Sequence, residues 1–165
     1  MLRFKIPMRK RLLAIFVTAL LFLMPVHESR AAMDYAKQVL IESDFSNRDL
    51  RGVTFNLANL LKANLSGSDL EGASLFGAKL QEADLSNTNL RDATLDSAIF
   101  EGTNLTNSVL EDAFAFNTRF KDVIITGADF TNVPMRNDVL SSLCLVADGT
   151  NPITGRDTKE SLGCI

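Results

Sequence analysis

The sequence has very little of the chemistry on which most active sites depend. Its 165 residues include one histidine, two cysteines, one tyrosine and no tryptophan. The histidine, His27, lies within residues 1–31, which have the pattern of an export signal, so the processed chain has none. Ser-His-Asp and Cys-His catalysis and histidine-containing metal sites are therefore excluded for that chain. It also lacks the glycine motifs that bind nucleotide phosphates. We expect no enzymatic activity, no cofactor and no bound metal.

Residues 1–31 combine the three parts of an export signal. A basic start precedes an uncharged apolar run over residues 12–24, and Ser29-Arg30-Ala31 offers small residues at both places needed for cleavage. The run is shorter than the roughly 20 residues that span a bilayer, although an uncleaved anchor is the alternative. Cleavage removes six basic residues and one acidic residue, which leaves 11 basic and 19 acidic residues and a net charge of −8. We therefore expect no nucleic-acid partner and no membrane anchor after cleavage.

A bulky apolar residue occupies every fifth position from Phe45 to Phe130, and Ala115 is the only exception. We call this the central residue of each repeat. A small residue, most often Ala, lies two positions before it, and Asp or Asn often lies one position before it. Gly or Asn often follows two positions later, and we call this the corner residue. A period of five fits neither a helix nor a straight strand, because the central residues would spiral around the first and alternate across the second. The backbone must bend once per repeat, which predicts a solenoid.

The repeat resembles that of the pentapeptide-repeat family. Ala63-Asn64-Leu65-Ser66-Gly67 and Ala83-Asp84-Leu85-Ser86-Asn87 match its Ala-(Asp/Asn)-Leu-x-x pattern residue for residue. The resemblance implies an all-β solenoid, a right-handed quadrilateral β-helix with four repeats per coil. It also implies that the central and small residues point inward. We assign residues 45–133 to this β-helix.

Short helices are predicted to cap both ends of the solenoid. An uncovered end exposes apolar interior and unpaired backbone, so a covering element is expected there. Residues 32–44 form the predicted N-terminal cap, with a helix over residues 34–42. Residues 134–165 form the predicted C-terminal cap, with a helix from Asp138 to Leu145 and a turn-rich loop over residues 147–155.

Both cysteines, Cys144 and Cys164, follow the repeats. An even count in an exported chain predicts a disulfide, worth about 3 kcal/mol for a loop of this size. Free thiols and a redox-sensing pair are the alternatives. Leu143-Cys144, the loop over residues 149–155 and Ser161-Leu162-Gly163-Cys164 together resemble the C-terminus of thylakoid lumenal pentapeptide-repeat proteins of cyanobacteria and chloroplasts. The resemblance implies a home in the thylakoid lumen or the periplasm.

Carboxylates recur at intervals of 20 residues, as in the column Asp49, Asp69, Asn89. Neighbours in such a column would lie about 5 Å apart. One hypothesis is a hard-cation site, or a carboxyl pair with a raised pKa. The favoured interpretation is a solvated column in which Asn relieves like-charge repulsion.

Several apolar residues occupy positions that should face solvent. They are Leu61, Phe76, Ile99, Val109, Phe114, Phe116 and Ile124. Phe76, Phe114 and Phe116 form our candidate interaction patch, because coil arithmetic brings them to one face with Asp96 between. Alternatively Phe114 or Phe116 turns inward, since Ala115 in a Leu position would leave a cavity that costs about 2–5 kcal/mol. Incidental exposure is the third possibility.

The sequence thus predicts a non-enzymatic structural or protein-interaction module with an unidentified protein partner. A redox-responsive protein switched through Cys144 and Cys164 is the alternative. A DNA mimic that binds gyrase is a minor alternative, because gyrase is cytosolic and this chain carries an export signal. An enzyme that uses the carboxylate columns is least favoured. The sequence does not predict an oligomeric state.

Overall fold

A computed structural model describes residues 33–164. The described residues form one compact unit. The predicted export signal over residues 1–31 therefore lies outside the described residues and stays a prediction. Within residues 33–164, no helix has the length and apolar character needed to cross a membrane.

The repeats wind into a four-sided coil with 20 residues per turn. Backbone bridges join residues 20 apart, always in parallel, as in the series Asp44, Asn64, Asp84 and Asn104. The same spacing holds on all four sides, because the residue before each central residue bridges to its equivalent in the next coil. The bridges lengthen into strands at β1 (Ile99–Glu101) and β2 (Arg119–Lys121), which pair in parallel with Phe100 opposite Phe120. The predicted β-helix with four repeats per coil is confirmed.

The interior holds the central and small residues. Leu65, Leu85 and Leu105 are completely buried, and so are small residues such as Ala63. Where Ser or Thr replaces Ala, its hydroxyl donates to a backbone carbonyl, as Thr103 Oγ1 does to Leu80 O at 2.7 Å. Burial of these hydroxyls therefore leaves no unpaired donor.

The corner residues adopt a left-handed backbone at almost every repeat. Gly67 and Asn87 have φ of 65° and 56°, and even Leu57 has φ of 59°. The expectation that Gly and Asn mark the corners is confirmed. Asn117 is the exception, because its φ is not positive. Its N–H donates to Asp96 Oδ1 at 2.9 Å.

The predicted N-terminal helix over residues 34–42, within the cap assigned to residues 32–44, is wrong. Asp34, Val39 and Asp44 bridge to residues 54, 59 and 64, so this segment forms the first coil. Tyr35 occupies a central position, and its ring stacks on Phe55 at 5.1 Å between centroids. The physical reason is that each repeat of this segment finds hydrogen-bond partners in the next coil, as in Leu40 N to Asn59 O at 2.7 Å, whereas an isolated helix of nine residues is marginal.

Two helices follow the repeats. Helix α1 spans Asn137–Cys144 and buries Val139 and Leu143, in agreement with the helix predicted from Asp138 to Leu145. Helix α2 spans Thr158–Leu162 and was not predicted. Asp157 caps its N-terminus by accepting from two backbone N–H groups, and Gly163 ends it with φ of 70°. The C-terminal end of the coil is therefore covered, as expected.

Candidate functional site

The C-terminal tail is attached to the coil at several independent points. A disulfide joins Cys144 at the end of α1 to Cys164 just after α2, with the Cα atoms 5.7 Å apart. Between the last coil and the two helices lies an open groove of about 650 Å³. Its lining includes Phe130, Val133, Met135, Leu140, Arg156 and Leu162. The tail thus forms a cap beside a groove with mixed apolar and charged lining.

Asn151 is the main anchor of the tail loop. Its side chain is 1% exposed. The Nδ2 amide donates to three coil carbonyls, those of Asn107, Ser108 and Gly127, at 3.2, 3.1 and 2.8 Å. Its Oδ1 accepts from the backbone N–H groups of Ile153 and Thr154 at 2.9 and 3.0 Å. One side chain therefore shapes the loop and fixes it to two successive coils.

Arg156 adds an ionic contact beside this anchor. One guanidinium nitrogen donates to Glu111 Oε1 at 2.7 Å and to the fully buried Asp129 at 3.1 Å. Arg91 approaches the other oxygen of Glu111 at 3.2 Å. Hydrogen bonds from Arg156 and Arg91 hold the pKa of Glu111 below its ordinary value. Burial raises the pKa of Asp129, but hydrogen bonds from Thr131 and its neighbours outweigh that effect and lower it.

The tail also explains the burial of Val109, which we expected to face solvent. Val109 is completely buried. Asn151 bonds the carbonyls of the two preceding residues, and Arg156 bonds Glu111 on the other side. The loop therefore covers this side of the coil, and the expected exposure of Val109 is wrong.

Neighbouring arginine and asparagine side chains offset the negative charge of the carboxylate column. Arg51 binds both oxygens of Asp49 at 2.9 Å and lies 3.6 Å from Asp69. Asn89 Nδ2 donates to Asp69 Oδ1 at 2.8 Å. These contacts support the interpretation in which Asn relieves like-charge repulsion. Within residues 33–164, no group of three or more metal-binding side chains is present.

The candidate interaction patch lies on one side of the coil. Phe76, Phe114 and Phe116 are 44%, 58% and 49% exposed. Leu57, 52% exposed, joins them, because its N–H donates to Phe76 O and its Cδ2 lies over Gly77. We call these four residues the apolar patch. Asp96 lies between the coils of Phe76 and Phe116 and accepts from the N–H of Asn117.

The alternative in which Phe114 or Phe116 turns inward is wrong. Both side chains are exposed, whereas Ala115 between them is 1% exposed. The physical reason lies in the same coil, where Phe120 and Phe130 meet edge to face with their centroids 6.1 Å apart. Two phenylalanines fill this layer of the interior, so a small central residue fits without an inward repair.

Sequence reasoning missed Leu57, Asn151 and Arg156. Leu57 could have been found, because an exposed leucine at a corner position one coil from Phe76 follows from the same arithmetic. The contacts of Asn151 and Arg156 join residues 24 to 45 apart and follow no period, so no local pattern could have identified them.

Comparison with known proteins assigns the family. The family model "Pentapeptide repeats (8 copies)" matches residues 39–75 and 73–112. A crystal structure of a pentapeptide repeat protein from the Arabidopsis thaliana thylakoid lumen is 44% identical, with a TM-score of 0.64. The match covers 81% of this chain and 86% of that one. This chain therefore belongs to the pentapeptide-repeat family. A pentapeptide repeat protein of Nostoc PCC 7120 is 26% identical, with a TM-score of 0.54, over 77% of this chain and 94% of that one.

Two curated relatives match shorter segments. Thylakoid lumenal 15 kDa protein 1 of Arabidopsis thaliana is 56% identical over 48 residues, which is 29% of this chain. Thylakoid lumenal protein TL20.3 of the same plant is 50% identical over 40 residues, which is 24% of this chain. The matched segments span only 21% and 14% of these relatives' own lengths. Their compartment, together with that of the solved Arabidopsis structure, confirms the prediction of lumenal export.

Proposed function

We propose that this protein is a non-enzymatic interaction module of the thylakoid lumen, and that it binds a partner protein through the apolar patch. The observation that carries the proposal is the exposure of Phe76, Phe114 and Phe116 on one side of the coil. Surface phenylalanines that share a face are typical of protein-binding sites. We also infer that the coil is right-handed, the sense in which nearly all parallel β connections wind.

The C-terminal disulfide has a structural role in this proposal. Asn151 and Arg156 hold the tail to the coil through contacts that do not involve either cysteine. Reduction of the bond between Cys144 and Cys164 therefore leaves those contacts in place. This argument favours a permanent covalent tie over the redox switch.

The test is affinity capture from thylakoid lumenal extract. We expect the protein to retain one partner at high salt, because an apolar contact is weakly screened. The double variant Phe114→Ser/Phe116→Ser should lose that partner. Ile124→Ser is the matched control, since Ile124 is 53% exposed but lies on another side of the coil. Equal capture by the double variant and the wild type would contradict the proposal.

A further inference from the structure

Just over half of the basic side chains within residues 33–164 are held in ion pairs. Six of the eleven lie within 3.6 Å of a carboxylate oxygen: Arg51, Lys62, Arg91, Lys121, Arg136 and Arg156. The other five form no ion pair with a residue of this range: Lys37, Arg48, Lys79, Arg119 and Lys159. Three of these five border the apolar patch.

Lys79 and Arg119 border the apolar patch along one side. Each follows a phenylalanine of the patch by three residues, Lys79 after Phe76 and Arg119 after Phe116. Both pair in parallel with Ile99, which is half-buried between them, so the two cations lie in one column and two coils apart. At the usual spacing between strands, this separation is about 10 Å. Both side chains are exposed.

Lys37 borders the patch at its N-terminal end. It is a corner residue of the first coil, and Leu57 is its equivalent in the second coil. The Lys37 N–H donates to Asn56 O at 2.8 Å, next to Leu57, and the Lys37 side chain is exposed. Positive charge therefore lies along two borders of the patch.

The carboxylates nearest to these cations are already engaged. Asp96 lies inside the patch, and its Oδ1 accepts from the Asn117 N–H at 2.9 Å while its Oδ2 accepts from the neighbouring serine hydroxyl at 3.3 Å. Lys121 Nζ donates to Glu101 at 2.7 Å. This contact lowers the pKa of Glu101 most, and the more distant charge of Arg119 lowers it further. The cations at the patch are therefore available to a ligand from outside.

The opposite border of the patch is acidic. Asp112 lies two residues before Phe114, and Asp92 is its equivalent one coil earlier. Both aspartates are exposed. A broad anionic surface such as a lipid bilayer would meet both borders at once, and these carboxylates would repel it. A narrow protein segment can lie along the cationic border alone, so the charge pattern favours a segment over a membrane.

We propose that the partner of the apolar patch is an acidic protein segment in which carboxylates flank apolar side chains. This inference rests on the interaction function proposed above and names the chemistry of its partner. The apolar side chains of the segment pack on the patch phenylalanines, and two of its carboxylates, about 10 Å apart, lie beside Lys79 and Arg119. Such charge complementarity speeds association and selects the partner, whereas the apolar contact supplies affinity that persists at high salt.

The first experiment selects ligands from random peptides displayed on phage, with the protein purified from the periplasm of a bacterial host as bait. We expect the selected peptides to combine aromatic or aliphatic residues with at least two Asp or Glu residues. They should not bind Phe114→Ser/Phe116→Ser. Selected peptides that need these phenylalanines but are neutral or basic would overturn this inference and leave the function proposed above intact. No enrichment, or equal binding to the double variant, would contradict both.

The second experiment measures the association rate of a selected acidic peptide by stopped-flow fluorescence. Lys79→Glu/Arg119→Glu should slow association at low salt at least about tenfold. Arg48→Glu/Lys159→Glu is the matched control, because it changes the net charge equally, but Arg48 lies over the Phe45 ring and Lys159 lies in α2. The control should slow association less than about threefold. In about 1 M salt, where the screening length is about 3 Å, both variants should associate at the wild-type rate.

Three results would overturn the proposal. Equal slowing by both double variants would show that net charge, and not the border of the patch, controls association; circular dichroism of each variant establishes that the fold is kept. A wild type that dimerises in sedimentation equilibrium, with loss of the dimer in Phe114→Ser/Phe116→Ser, would assign the patch to a second copy. Binding to phosphatidylglycerol vesicles that the same variant loses would assign the patch to a lipid surface.

Discussion

Replacement of Asn151 by alanine should release the tail loop from the coil. The side chain amide has two hydrogens, which are shared among the carbonyls of Asn107, Ser108 and Gly127. Its oxygen accepts two further bonds inside the loop. Alanine therefore removes four hydrogen bonds at a site that is 1% exposed. At about 1 kcal/mol each, the expected loss of tail-docking free energy is about 3–5 kcal/mol.

The assay must distinguish local release of the tail from global unfolding. The disulfide keeps the loop close to the coil, so the loop can detach while the core stays folded. The Gly127 N–H donates to Asp148 O at 2.7 Å and reports docking directly. We expect its hydrogen exchange to accelerate by about two to four orders of magnitude in Asn151→Ala, whereas the buried amide of Leu85 should keep its rate.

Asn117→Ala is the control, because Asn117 is exposed and its side chain makes no hydrogen bond within residues 33–164. It should change neither urea stability nor the exchange of the Gly127 amide. If Asn151→Ala behaves like this control in both measurements, Asn151 is not the anchor, and the hydrogen-bond reasoning is refuted.

Four further predictions concern the core, the ionic contact and the disulfide. Leu85→Ala should lower the free energy of unfolding by about 2–5 kcal/mol in urea titration, because it opens a cavity at a fully buried position; a loss below about 1 kcal/mol would contradict a close-packed interior. Ala115→Leu should also destabilise, by about 1–3 kcal/mol, because two phenylalanines already fill that layer; a gain in stability would reveal an empty space there. The pKa of Glu111 lies below its ordinary value, so its carboxylate adds stability above about pH 4.3 that is lost as the pH falls through the lower folded value. Glu111→Gln should therefore reduce the fall in Tm at acid pH, and an unchanged dependence of Tm on pH would contradict this explanation. Cys144→Ser should cost about 3 kcal/mol, yet the exchange of the Gly127 amide should stay slow; fast exchange would favour the redox switch.

The coil could be predicted from the sequence because the same pattern of residue types recurs in every repeat. A central residue at every fifth position forces one bend per repeat, and corner residues such as Gly67 and Asn87 mark where those bends fall. The regular spacing also predicts which residues lie next to each other in successive coils, such as Asp69 and Asn89. These inferences need only local periodicity.

The first coil is hard to recognise in the sequence because three of its four small positions hold long side chains, Met33, Gln38 and Arg48. Met33 and Gln38 precede the central residues Tyr35 and Leu40, where deeper coils have mostly Ala, Ser or Thr. Val39-Leu40 then looks like part of an amphipathic helix. The register was nevertheless present, since residues 35 and 40 continue the series of fives to the N-terminal side.

The tail could be predicted only in part. The position of α1 follows from the apolar spacing of Val139 and Leu143. The docking of the loop could not be predicted in this way, because Asn151 contacts coil residues that are 24 to 44 positions away in the sequence. The exposure of Phe114 likewise depends on Phe120 and Phe130, which fill the interior of the same coil. This packing is a property of the whole coil and cannot be read from the residues next to Phe114 in the sequence.

The two ends of the coil solve the same problem in different ways. At the C-terminal end, α1, α2 and the anchored loop cover the last coil, so its backbone and interior are shielded. At the N-terminal edge, three aspartates each accept from the backbone N–H two residues later, whereas Val39 offers no side-chain acceptor on the fourth side. The C-terminal cap therefore shields backbone and apolar interior together, whereas the aspartates of the first coil satisfy one donor on each of three sides.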